Sequence, residues 1–363
     1  SMSYKEYKIA IVGFYQIIGS FNGASEVSLS LYKSINCRKK LFDLKNPKSL
    51  EKNFILNLLY PYLIKPLRIL FQIKRVLNFF HKSKKNLLII EGASWIGYSY
   101  IFIKIIKLFN RDIKIMYHAH NIEYDIRKLK NSKFIQLLTF WLEKKVLNLS
   151  DYPTSVSKLD QKKNFFLYKK KTITFYNGVS LKRLSSSKKK IKNKYIIFSG
   201  NYFFLPNKIA VDKLVKFFTK FNIDFKNIKL LITGSEIPLS IEQKKFVIFK
   251  KNLSKKNLNN YLINSICTIL PLKDAPGTKL KVIEALLNGV IVVGTKHAFK
   301  GIDLFKMKPP FIYKNNYQLY KIINNIIKNE KKIKNLSIKD ISNYKKKYLM
   351  ENISKKFFDK NLI

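Results

Sequence analysis

Short runs of branched and aromatic apolar residues alternate along the chain with longer stretches in which apolar positions recur three and four residues apart. The first rhythm is that of buried strands and the second that of amphipathic helices. Ile9-Ala-Ile-Val-Gly13 reads as a first strand, followed by a glycine-containing loop and a helix over Ser25 to Ile35. Leu87-Leu-Ile-Ile-Glu91 reads as the next strand and leads into an apolar segment ending near Phe109. Ile113 to His118 predicts a third strand, with a long helical pattern from Ile122 to Leu149 behind it. Tyr152 to Val156 and Thr172 to Tyr176 close this half. Short apolar strands separated by helices imply a parallel sheet covered on both faces.

The alternation then restarts. Ser185 to Lys194 is polar, charged and without apolar periodicity, the composition of a linker. Beyond it, strands are predicted at Tyr195 to Ser199, Ile228 to Thr233, Phe246 to Phe249, Thr268 to Leu272 and Val290 to Val293. Helical patterns lie between them at Asn207 to Phe221, Asn257 to Asn264 and Lys279 to Leu287. The expected organisation is an α/β domain over 1–182, a linker over 183–194, a second α/β domain over 195–345 and a final helical segment over 346–363. Two doubly wound sheets of this kind face each other across a crevice, and open α/β sheets bind ligands at the carboxyl ends of their strands.

One segment breaks the rhythm. Asn53 to Lys85 is aromatic, apolar and basic, and Pro61 and Pro66 interrupt it. It reads either as an interfacial membrane-docking surface, with Lys65, Arg68, Lys74 and Arg75 on lipid phosphates, or as two amphipathic helices packed on the first sheet. No stretch reaches the roughly 18 uncharged apolar residues that a spanning helix needs. Ser1-Met2 reads as an appended start, and the charged residues Lys5 and Glu6 ahead of the first apolar run argue against a signal peptide.

Composition sharpens the picture in one respect. There are 71 Lys plus Arg against 22 Asp plus Glu, a net charge of +49. Such a field attracts anionic membranes, nucleic acids or phosphorylated substrates. The accompanying richness in Ile, Asn, Phe and Tyr is also what AT-rich coding produces, so charge alone does not select among these partners. Hydrophobic residues make up 47% of the chain, enough for substantial cores, which excludes a disordered polyelectrolyte. Cys37 and Cys267 stand far apart with no CxxC spacing, so neither a disulfide framework nor a zinc site follows, and a reducing cytosol is the expected compartment.

Several chemical motifs can be excluded. No GxGxxG follows the first strand, and Gly289 to Lys296 has its Thr and Lys in the wrong order for a phosphate loop. No DxD pair or His/Asp cluster that would hold a divalent metal near a diphosphate is apparent, nor is a GxSxG elbow. What remains is the run from Asp274 to Thr295, which reads as strand end, loop, amphipathic helix, turn and strand. Gly277 and Thr278 precede the helix, so the N–H groups of the helix start near Lys279 and Leu280 are expected to form an anion site to which Lys279 adds a full charge. Glu284, one turn beyond Leu280, is placed to accept hydrogen bonds from a ribose diol. The competing reading is a surface lysine and a solvated glutamate.

This run resembles the nucleotide-binding signature of family four of the retaining glycosyltransferases, and in particular the subgroup whose signature is Gly-Thr-Arg/Lys-x-Lys-x-x-Glu-Ala. Other landmarks follow in order. Asn22-Gly23-Ala24 resembles the Gly-Gly-Ala loop that approaches the donor diphosphate, and His118-Ala-His120-Asn-Ile-Glu123 resembles a His-Asn-x-Glu motif. Tyr176-Asn-Gly-Val179 resembles the Pro-Asn-Gly-Val segment ahead of the interdomain linker, and Phe198 to Asn207, with Gly200 near its start, resembles the opening of the second domain. Leu231-Ile-Thr-Gly234 and Leu270-Pro-Leu272 complete a series spanning nearly the whole chain. Two departures stand out: Pro276 occupies the place of a frequent first glutamate, and the usual Arg and Lys pair for the donor phosphates is replaced at best by Lys208.

The resemblance implies a GT-B fold, with an N-terminal acceptor domain, a C-terminal donor domain and a last helix crossing back onto the first domain. It implies a retaining transfer from a nucleotide-diphosphate sugar without a metal or other cofactor. It places His120, rather than His118, against the donor sugar, with Lys279 at the leaving phosphates. Gly23, Ala24, Gly200, Lys208, Thr278, Leu280 and Glu284 would line the donor, and His118, Asn121 and Glu123 are secondary candidates. The family-level acceptor is a glycan or lipid-linked acceptor of surface polysaccharide synthesis, which fits a protein peripheral on the inner face of the cytoplasmic membrane. The rival readings are a basic nucleic-acid-binding protein, which lacks any recognised module here and for which no specific nucleic acid is expected, a GT-B sugar-nucleotide epimerase or hydrolase, and an inactive scaffold.

Overall fold

The structure, a computed structural model, describes residues 4–20, 22–44, 64–93, 95–128, 131–184, 194–221, 227–273, 279–305 and 311–362. Most of the expected linker, Thr278 of the expected donor loop and the 53–63 part of the basic apolar segment lie outside these residues. The chain forms two units. The first runs to Gly178 and takes back the C-terminal stretch from Met350, and the second holds the described residues from Val179 to Leu349.

In the first unit β1 (Lys8–Val12), β2 (Arg38–Phe42), β3 (Asn86–Gly92), β4 (Lys114–Ala119), β5 (Tyr152–Ser155) and β6 (Ile173–Thr174) form one parallel sheet. The spatial order is β2-β1-β3-β4-β5-β6. The chain winds outward from β1 to β2, then returns to the other side of β1 to lay down β3, so β1 and β3 flank a switch in winding direction. All seven residues of β3 are buried, as a central strand covered on both faces requires.

The helices between these strands are α1 (Gly23–Ser34), α2 (Lys65–Phe80), α3 (Ile96–Phe109), α4 (Glu123–Lys128), α5 (Lys133–Leu149) and α6 (Lys158–Tyr168). Residues of α2, α3 and α5 share one core with β1, β3 and β4, in which Phe14, Val76, Phe102, Ile106 and Val146 are fully buried. The single long helix expected over Ile122 to Leu149 is two helices instead. Ser132 adopts an extended backbone at φ −60°, ψ 157°, the N-cap position from which α5 starts.

The second unit repeats the plan. Its strands are β7 (Tyr195–Ser199), β8 (Lys229–Gly234), β9 (Val247–Lys251), β10 (Thr268–Leu270), β11 (Val292–Gly294) and β12 (Phe311–Ile312), again all parallel, in the order β12-β11-β10-β7-β8-β9. Here the winding reverses between β7 and β10. Helices α7 (Leu205–Phe221), α8 (Leu239–Glu242), α9 (Lys255–Asn264), α10 (Leu280–Leu287), α11 (Asn316–Lys328), α12 (Glu330–Lys339) and α13 (Ile341–Tyr348) complete it. Gly289 closes α10 at φ +68°, and a Cβ there would stand 2.8 Å from Ile341 Cδ1, so both the left-handed turn and the packing of α13 demand glycine.

The last helix, α14 (Met350–Asn361), belongs to the first unit. It packs on α1, Tyr152 Oη donates to the Asn361 carbonyl at 2.9 Å, and Phe357 sits edge-on against Phe175 at 5.4 Å.

Candidate functional site

Each unit places a polar cluster at the carboxyl end of its sheet beside its switch in winding. In the first unit the cluster is built from the pleat. Glu91 on β3 is registered opposite His118 on β4, and His120 follows two residues on with the same parity. Three side chains converge as a result. His118 Nδ1 lies 3.1 Å from Glu91 Oε2, and His120 Nε2 lies 2.6 Å from the same oxygen. Ser28 of α1 donates its hydroxyl to that oxygen at 2.7 Å, and Tyr15 Oη is 2.8 Å from Ser28 Oγ. All of the carboxylate and both imidazoles are buried.

Burial would raise the Glu91 carboxyl, but the charge of His118 and the hydrogen bonds from His118 and His120 outweigh it and hold Glu91 well below the usual carboxylate range. Burial pushes His120 below the ordinary imidazole value despite the opposing pull of Glu91. The two directions describe one state: an ionised Glu91 accepting an N–H from a neutral His120. With Nε2–H turned to the carboxylate, His120 Nδ1 is left as an acceptor. His118 Nε2 is buried and has no hydrogen-bond partner among the described residues, while its ring stacks edge-on with Phe175 at 4.9 Å.

Glu91, His118 and His120 are, among the described residues, the one group whose donor atoms lie close enough together to chelate a cation, all within 4.8 Å of one another. A tetrahedral ion with bonds of about 2.1 Å sets neighbouring donors about 3.4 Å apart. The separations of 2.6 Å and 3.1 Å are those of hydrogen bonds.

The other residues of this unit singled out by the sequence have local tasks. Asn22 caps α1, its Oδ1 accepting from Ser25 N at 2.8 Å; Gly23 is exposed and Ala24 half-buried in the first turn. Asn121 is half-buried. Glu123 opens α4 and lies 4.0 Å from Arg127. Its N–H and that of Tyr124 donate to the Glu143 carboxylate of α5 at 2.8 Å and 3.0 Å, so α5 caps α4. Tyr168 Oη donates to the same group at 2.5 Å.

In the second unit the cluster gathers around the start of α10. Lys279 is its N-cap, buried, with no side-chain cap hydrogen bond; Leu280, the first helical residue, is half-buried. Lys281 turns back across the switch, its ammonium donating to the Ser199 carbonyl at the end of β7 and to Asn207 Oδ1, both at 2.9 Å. It also lies 4.8 Å from the Phe198 ring centroid. Burial pushes the Lys281 ammonium down to about 8, against the opposing charge of Glu284. Gly200 is glycine because a Cβ would meet the Asn207 side chain at 2.7 Å. Glu284 is buried and accepts from Lys255 of α9 at 2.6 Å. Lys208 is exposed on α7, its ammonium 6.0 Å from the Tyr202 ring.

Sequence reasoning missed Glu91, Lys281 and Lys255. Lys281 stood inside the signature itself, two residues after Lys279, and its apolar neighbours on α10 are the signal that it turns inward.

No family model matches the sequence, and no curated protein matches it. Solved structures do. Sucrose-phosphate synthase from Thermosynechococcus elongatus is similar at a TM-score of 0.72 and 13% identity, with 97% of each chain covered. Anabaena HepE in complex with UDP-glucose is similar at 0.68 and 14% identity, covering 97% of this chain and 98% of that one. A UDP-N-acetylglucosamine 2-epimerase of that description from Listeria monocytogenes is similar at 0.58 and 12% identity, covering 98% and 95%. At these identities the likeness is one of fold. The two doubly wound α/β domains expected from the sequence are the architecture found, a GT-B-like fold.

Proposed function

We propose that the protein is a glycosyltransferase that moves a sugar from a nucleotide diphosphate to a glycan or lipid-linked acceptor, with retention and without a metal. One observation carries the reading. In a fold shared with a UDP-glucose-bound protein, the polar clusters of both units stand at the carboxyl ends of the strands where the winding reverses, the place where open α/β sheets bind ligands.

The roles follow from the chemistry of each group. His120, held neutral with its Nε2–H on Glu91, offers Nδ1 as acceptor to a hydroxyl of the donor sugar, while Glu91 and Ser28 fix the ring. Lys279, Thr278, Leu280 and the N–H groups at the start of α10 stabilise the charge that builds on the leaving diphosphate, with Gly23, Ala24 and Gly200 allowing close backbone approach. Preorganised donors of this kind are typically each worth about 2.7–4 kcal/mol of barrier. Lys281 adds a cation that sequence reasoning did not supply. Glu284, oriented by Lys255, receives the ribose hydroxyls. Lys208 is the outermost candidate for the phosphates, and Asn121 and Glu123 shape the loop that carries His120.

The test is product analysis with labelled nucleotide sugars and a membrane lipid extract as acceptor. Transfer of label to the extract, with the anomeric configuration kept, is expected. Lys279→Ala should lower turnover by orders of magnitude while the fold persists, and near-normal turnover would remove that residue from the site. A second reading, sugar-nucleotide epimerisation, draws on the likeness to the Listeria structure. It predicts an altered nucleotide sugar in the absence of any acceptor.

A further inference from the structure

We propose that the first unit docks on an anionic lipid surface through the outer face of the helix layer α2–α3–α5. This inference does not depend on the glycosyltransferase reading. The three helices share one core with the sheet, so their opposite faces form one continuous outer layer. That layer is apolar where solvent-facing helices are ordinarily polar. On α5, beyond the exposed Lys133 and Ile135 of the first turn, the solvent-facing positions fall in a stripe about 120° wide at 100° per residue. It reads Phe134, Leu137, Leu138 and Trp141, then Lys144 and Lys145. Phe134 and Leu137 are 73% and 67% exposed. On α3 the stripe reads Ile101, Lys104 and Leu108, and Leu108 is 77% exposed. On α2 it reads Leu67, Leu70, Phe71 and Lys74, and Leu67 and Phe71 are 66% and 63% exposed. Tyr100 of α3 and Trp141 of α5 join two of the stripes, their rings 5.6 Å apart.

Helices α1 and α14 of the same unit differ, whereas α6 also exposes Leu159, Phe165 and Phe166. No large hydrophobic residue is exposed on α1 or α14, and the exposed positions of α14 are Asn352, Lys355, Lys356, Asp359 and Lys360.

Local charge, taken with the apolar stripes, selects the occupant. Neither α2 nor α3 contains an acidic residue, and the Glu143 of α5 is buried under three hydrogen bonds, so the outer layer carries lysines and arginines without a carboxylate among them. Arg68 and Arg75 flank Leu67 and Phe71 in a groove beside α2. The groove's one acid, Asp43, already accepts from the Ile17 and Ile18 amides. Apolar and aromatic side chains interleaved with cations suit the interfacial zone of a membrane bearing anionic headgroups. No helix among the described residues is long and apolar enough to cross a membrane, so the contact is one of lying on the surface.

This corrects the membrane reading of the sequence in one detail. Lys65 does not serve a lipid phosphate; its ammonium is packed over the Trp95 ring at 3.3 Å, and burial pushes it down to about 8.

The chain has two tryptophans, so a Trp95→Phe protein reports from Trp141 alone. Full-length Trp95→Phe protein is mixed with phosphatidylcholine vesicles, with and without phosphatidylglycerol, in the absence of nucleotide. On the anionic vesicles the emission of Trp141 shifts to the blue and is quenched by brominated acyl chains. The exposed double substitution Phe71→Ser/Leu137→Ser weakens vesicle binding by about tenfold or more, whereas Leu239→Ser on α8 leaves it unchanged. Undiminished binding in the double variant, or binding without quenching of Trp141, overturns the proposal. So does a concentration-dependent oligomer that the same double variant dissolves, which would assign the face to a second copy of the chain. Nucleotide binding is measured separately, so failure here leaves the proposed activity standing.

Discussion

At the scale of single residues, the account turns on how burial and hydrogen bonds set the charge of a few groups. Glu91 is the clearest case: its carboxylate orients His120, and the orientation leaves one ring nitrogen as acceptor. Glu91→Gln keeps the shape but removes the charge that holds the ring, and it should lower turnover about a hundredfold. Nucleotide affinity should stay near wild type, because that part of the donor is assigned elsewhere; steady-state kinetics beside calorimetry checks both. Lys281 gives a pH prediction. Its folded-state value is depressed to about 8, so the ammonium loses its proton as pH rises through that value. Affinity for nucleoside diphosphates should therefore decline above about pH 8, and Lys281→Met should bind more weakly and lose that decline. The parity of His118 and His120 was legible from the two-residue period of a strand. Their partner was not, because it depends on the register between β3 and β4, which no local pattern records.

At the scale of elements, Glu143 shows how one buried carboxylate ties pieces together. It caps α4 through the amides of Glu123 and Tyr124 and takes the Tyr168 hydroxyl, and burial pushes it up to about 7. Glu143→Ala strands those donors and should destabilise the protein by about 1–3 kcal/mol, read from urea unfolding. The sign of its pH effect is opposite to that of an ordinary paired carboxylate. The folded state holds the proton more tightly, so the stabilisation is full below the unfolded value of 4.5 and is lost as pH rises through about 7. Stability measured between about pH 6 and 8 should fall in wild type, and the fall should be smaller in Glu143→Gln. Most strands were legible as apolar runs. β2 was not: Arg38-Lys-Lys-Leu-Phe is an edge strand whose outward residues are basic, so it lacks the run that marks a central strand. β12 spans two residues, too few to leave a pattern.

At the scale of the molecule, the repeated plan was the most legible feature, because two successions of strand and helix separated by a polar stretch leave little other choice. That each sheet is doubly wound was expected, but the strands between which the winding reverses were not legible, since strand order depends on long-range pairing. Yet that reversal is what gives the clusters their meaning. Glu91 and the histidines stand beside the β1–β3 switch, and Lys281 with Asn207 stands beside the β7–β10 switch. The most direct test of the central claim is a thermal-shift measurement with nucleoside diphosphates and their sugars, since a ligand that binds the folded state raises its melting temperature. The account predicts a saturable rise with at least one diphosphate, a further rise with its sugar nucleotide, and a clear reduction of both in Glu284→Ala. A melting temperature unmoved by every nucleotide, in a protein that unfolds cooperatively, would contradict it.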